Sequence, residues 1–96
     1  MQISRDTMNI ICAFTTLNFD ALEDTTQTAI ELQLRVMWNN LPNITHIEGV
    51  KNLAGAKYRL EQAIVETLDK LGAPIDELSK TERAVDAFLA LNLPSK

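Results

Sequence analysis

Apolar residues along this chain recur at three- and four-residue steps in four blocks separated by Pro, Gly and Asn, the pattern of amphipathic helices. The longest block runs from Thr45 to Gly72 and predicts one helix. Thr45 and Glu48 form a T-x-x-E capping box at its start, Gly72 supplies the left-handed residue that ends many helices, and Pro74 blocks continuation. Val50, Leu53, Leu60, Ile64, Leu68 and Leu71 share one side of that helix, with Lys57 and Glu61 interrupting the stripe.

The first block, about Ser4 to Leu17, places Ile3, Thr7, Ile10, Phe14 and Leu17 on one helical face with Ser4 as cap. A strand over residues 9–17 competes, because Ile, Phe and Thr favour extended structure; the alternation of a half-buried strand is absent, and helix is the preferred reading. The second block begins near Asp20, where Asp20 and Glu23 mimic a capping box, and stops at Leu41 before Pro42. Ile30, Leu34, Met37, Trp38 and Leu41 lie on one of its faces, while Ala29, Leu32 and Val36 lie nearly opposite. A helix apolar on two sides is usually enclosed, by its own domain or by a partner chain. In the fourth block Ser79 and Glu82 form an S-x-x-E capping box, Ala84, Val85, Phe88, Leu89 and Leu91 make the inner face, and Asn92 and Pro94 end it. Connections at residues 18–20, 42–44 and 72–74 are short, which favours antiparallel neighbours. The expectation is an all-α, four-helix bundle-like fold, mostly antiparallel, with residues 1–96 forming a single helical domain.

Composition narrows the functional classes. An apolar fraction of 46% with 23% charged residues is that of a globular chain and not of a disordered tail. Thirteen acidic against nine basic residues, interleaved throughout, argue against the dense basic surface that nucleic-acid binding requires. No apolar run is longer than that of Ile10 to Phe14, far short of the roughly 20 residues that cross a bilayer, and the start of the chain lacks a signal-peptide pattern. A lone Cys12 cannot form an internal disulfide, so a reducing, cytoplasmic setting is expected.

Catalytic chemistry finds little support. One Cys and one His on different segments do not make a zinc site, no phosphate-cradling glycine loop is present, and the pairs Glu23-Asp24 and Asp76-Glu77 fit helix starts. No catalytic residue, metal or cofactor is therefore expected. The stretch His46-Ile47-Glu48-Gly49-Val50-Lys51-Asn52-Leu53-Ala54-Gly55-Ala56 resembles the His-containing motif of histidine phosphotransfer domains, which are small acidic four-helix proteins. The resemblance covers about a tenth of the chain and implies a phosphoryl-accepting His46. It departs from the family pattern in three ways: the first Gly comes one position early, Glu48 stands where no acid is wanted, and His46 falls in the first turn.

Two further features bear on binding. Lys57 and Glu61 have ion-pair spacing, and Lys57, Tyr58 and Arg59, with help from Arg35, could form a polar patch for an acidic partner or an anionic small ligand. Trp38 could close the core or anchor a partner. The leading expectation is a non-enzymatic interaction protein that binds another protein and self-associates as a homodimer or larger species, through Leu32, Val36, Trp38, Lys57, Tyr58 and Arg59. Its size and acidic, motif-free character match phage-type accessory or inhibitor factors. The alternative is a small-ligand or phosphoryl-handling domain using His46 or the Lys57 to Arg59 patch.

Overall fold

The computed structural model describes the backbone of residues 1–92 and the side chains of residues 1–86. The element order is β1 (Gln2–Ile3), α1 (Arg5–Ala13), α2 (Asp24–Asn40), β2 (His46–Ile47), α3 (Leu53–Lys70) and α4 (Glu77–Asn92). The fold is all-α and bundle-like, with α1 and α2 packed on α3. No described helix is long and apolar enough to cross a membrane.

The central helix is α3, and the stripe read from its sequence is its core face. Leu60, Ile64 and Leu68 are fully buried, joined by Ala56, Ala63 and Thr67, while Val50, Leu53 and Leu71 pack at the margin. The stop signal also works as written. Gly72 has φ +74°, its N–H donates to Asp69 O, and Ala73 N–H donates to Leu68 O, the paired bonds of a Schellman motif.

The start of that helix differs from the expectation. The Thr45–Glu48 capping box does not form, and α3 begins eight residues later, at Leu53. Residues His46–Ile47 instead pair in parallel with Gln2–Ile3, in the register Gln2 to His46 and Ile3 to Ile47. Thr45 N–H donates to Met1 O at 2.9 Å and Glu48 N–H to Ile3 O at 3.1 Å, so the groups a capping box would use are already paired. The alternation of a strand puts Ile3 and Ile47 inward and leaves Gln2 and His46 exposed. Gly49, at φ +73°, turns the chain, and Asn52 accepts from Gly55 N–H at 2.9 Å as the true cap. The β-branched residues Ile44, Thr45 and Ile47 resist helix, and a partner strand resolves the balance.

Smaller departures occur elsewhere in the chain. Residues 9–17 are not a strand: α1 ends at Ala13 and a 3-10 turn follows over Phe14–Thr16. Ser4 caps α1, accepting from Thr7 N–H. The face turned inward is Met8 and Ile11, however, and Ile10 is 56% exposed. Helix α2 starts at Asp24 after a 3-10 turn that buries Phe19, and Glu23 at its cap makes no side-chain bond, so no Asp20–Glu23 box exists. Gln27 ties this start down instead by donating to Phe19 O and Leu22 O. Helix α4 is capped by Asp76, whose carboxylate accepts from Ser79 N–H at 2.8 Å, in place of Ser79 itself. That bond holds the Asp76 carboxyl below its ordinary pKa. Ala84 and Val85, expected inside, are exposed. The rest of that expected face, Phe88, Leu89 and Leu91, lies outside the described side chains, and Pro94 lies outside the described residues.

Candidate functional site

Helix α2 carries the two apolar faces its sequence shows, and only one is used internally. Ile30, Leu34 and Trp38 are buried and Met37 is half-buried, whereas Leu32 and Val36 are 58% and 59% exposed. The inverted phase of α1 brings Ile10 to the same side of the molecule. Between α1 and α2 these residues, with Phe14 and Met37, line an apolar groove of about 460 Å³. Its lining contains no carboxylate, imidazole, guanidinium or thiol side chain, and its Met1 carries the terminal ammonium, which donates to Asn43 O. Such a groove can bury apolar surface.

A second, polar cluster lies where α2 ends against α3 and α4. Arg83 of α4 donates through Nη2 to Trp38 O at 2.6 Å, and its guanidinium carbon sits 4.8 Å from the Trp38 ring centre. This cation at the carbonyl end of α2 complements the helix dipole and stacks on the ring. From α3, Lys57 donates to Ile44 O at 3.1 Å. Burial, and secondarily the nearby Arg83, lowers the Lys57 pKa. Glu61 is shifted the other way: burial raises its pKa, and Arg83 opposes the rise in part. The Lys57–Glu61 ion pair that their spacing permits is not among the salt bridges of the described residues.

The Glu61 shift has a defined sign in stability. A carboxyl whose folded pKa exceeds its unfolded value contributes fully when protonated and loses that contribution as pH rises through the folded pKa. Glu61→Gln should therefore stabilise the fold slightly at pH 7, the effect being small because the half-buried side chain is partly screened by solvent. The gain should vanish below about pH 4, where both states carry a neutral group. Urea midpoints of the two proteins at both pH values measure it.

The other residues expected to bind partners are dispersed. Tyr58 and Arg59 are exposed on α3, outside the groove, and Trp38 is buried at 5% exposure. Arg35 does not join Lys57; it donates to Ala73 O at 3.2 Å and lies 3.6 Å from Glu31. His46 sits on a two-residue strand and not in mid-helix, which removes the placement the phosphotransfer motif implies. Cys12 is free and half-buried. Among the described residues no group of His, Cys, Asp and Glu is arranged to hold a metal. Ile10 and Arg83 escaped sequence reasoning: Ile10 looked like core, and Arg83 is one basic residue in a mixed helix with no local signal. No protein-family model, curated protein or solved structure matches the chain.

Proposed function

We propose that this chain is a non-enzymatic interaction protein that docks the α1–α2 groove on another protein, with a second copy of itself as the first partner. The observation that carries this reading is the continuous exposure of Ile10, Leu32 and Val36 around an apolar groove. Contiguous apolar surface rimmed by polar residues is the mark of an interaction site. The rim is Thr7, Gln33 and Asn40, and the lining also holds Met1, whose terminal ammonium donates to Asn43 O; a patch of this kind lets two copies meet groove to groove about a two-fold axis. The free Cys12 fits a cytoplasmic setting, and the small acidic fold fits an accessory or inhibitory factor that works by occupying a surface of its target. Tyr58 and Arg59 remain available on α3 for a second contact.

Light scattering over a concentration series tests this directly. The parent should form a dimer, and Leu32→Asp or Val36→Asp should weaken it by about two orders of magnitude, since burying an unpaired carboxylate costs several kcal/mol. Both positions are exposed, so the variants should keep the parent's circular dichroism. His46→Ala should leave the mass unchanged. A strictly monomeric parent would end the self-association, and a partner captured equally by parent and Val36→Asp would end the role of the groove.

A further inference from the structure

The chain has three methionines, and the fold divides them between two environments. Met8 lies in the core, 6% exposed, on the inward face of α1. Met1 and Met37 both line the α1–α2 groove, Met1 at 48% exposure and Met37 half-buried, with one side against the core cluster. They are the sole sulfur-bearing side chains of that lining. A thioether is apolar, flexible and polarisable, so it fills a groove well in its reduced form. It is also the group whose polarity an oxidant reverses most simply. The other oxidisable side chains stand apart from the groove: Cys12 is half-buried outside its lining, and Trp38 is buried on the inner face of α2.

We propose that Met37 is a modification site at which a peroxide switches the α1–α2 groove off, its conversion to the sulfoxide releasing the second copy. The proposal rests on the self-association reading above. In the step itself hydrogen peroxide passes one oxygen to the Met37 sulfur: the O–O bond breaks, an S–O bond forms, sulfur loses two electrons and the peroxide leaves as water. The product carries a strong acceptor oxygen where the thioether had none. In the free protein water reaches a groove-lining sulfoxide. In the dimer the oxygen is covered, and Ile10, Phe14, Leu32 and Val36, which line the groove with Met37, carry no side-chain donor for it. An acceptor buried without a partner weakens the association by about tenfold or more. Methionine sulfoxide is reducible by a dedicated class of reductases, so the switch is reversible. Met8, enclosed in the core, is shielded from the same oxidant.

The test uses the full chain with Cys12→Ser, which removes the competing thiol, and the same chain with Met37→Leu added. Each is compared with its own unoxidised form after treatment with hydrogen peroxide. Peptide mass mapping should find one added oxygen on Met37 and on Met1, with Met8 unchanged. Light scattering should show the dimer dissociation constant of the Cys12→Ser chain rising by about tenfold or more on oxidation, and returning after methionine sulfoxide reductase. The Met37→Leu chain, whatever its own constant, should not respond to peroxide. Circular dichroism should stay the same throughout. An equal response in Met37→Leu would place the effect at Met1 and overturn the proposal. So would a Met37 sulfoxide that leaves the constant unchanged, or a loss of helix on oxidation, which would make Met37 a core residue; the groove reading survives either result. A chain that is monomeric before any oxidant is added ends that reading and the switch together.

Discussion

Trp38→Ala is expected to destabilise the fold by about 3–5 kcal/mol, the cost of truncating a large buried aromatic residue. The side chain is 5% exposed, belongs to the core cluster, and supplies the ring on which Arg83 rests. A domain of this size is stable by only about 5–15 kcal/mol in total, so the variant should lose a large share of that margin. The residue also loses its cation–π partnership, worth about 0.5–1 kcal/mol where the cation is partly solvated. Urea unfolding followed by far-UV circular dichroism measures the effect, since the variant has no tryptophan to observe. Trp38→Phe should recover most of the loss by keeping an aromatic ring in the site. A loss under about 1 kcal/mol would contradict the core placement and return Trp38 to the role of a surface anchor.

Ile47→Ala is expected to cost about 2–5 kcal/mol. Ile47 has no exposed surface and stands opposite Ile3 in the parallel ladder, so both side chains enter the same core. Had the helix begun at Thr45, Ile47 would lie in its first turn, outside the apolar stripe, and its truncation would be mild. The strand gives it a central place. Its outward neighbour provides the control: His46→Ala should stay within about 0.5 kcal/mol of the parent, as exposed substitutions usually do. Ile3→Ala combined with Ile47→Ala should fall short of the sum of the single losses, because the two residues pack together.

The α1–α2 groove shows how a correct element can still conceal its function. The sequence of α2 displays both apolar faces, and Leu32 and Val36 are the exposed ones. The other wall was hidden, because α1 offers two apolar phases. Ile10 and Phe14 recur on one, Met8 and Ile11 on the other. Periodicity alone does not say which phase meets α3. The structure turns Met8 and Ile11 inward and so delivers Ile10 to the groove. The polar cluster was half legible: Lys57 and Glu61 stand out within an apolar stripe, whereas Arg83, which shifts the pKa of both, lies on another helix.

The sequence by itself determined the helical class, the Leu60, Ile64 and Leu68 face, the inner face of α2, the Ser4 cap and the Gly72 stop. Each rests on chemistry completed within about one or two helical turns, through side-chain spacing or a local backbone bond. Only the tertiary structure decided that Thr45 to Ile47 join a strand, that α1 turns its Met8 face inward, and that Arg83 rests on Trp38. Those outcomes are settled by groups far apart in the chain: 44 residues separate Thr45 from its acceptor at Met1, and 45 separate Arg83 from Trp38. A local signal such as the Thr45–Glu48 box is worth about 1 kcal/mol. Burying Ile3 and Ile47 together while pairing the backbone between them stabilises the strand by several times that, so the long-range pairing prevails over the local cap.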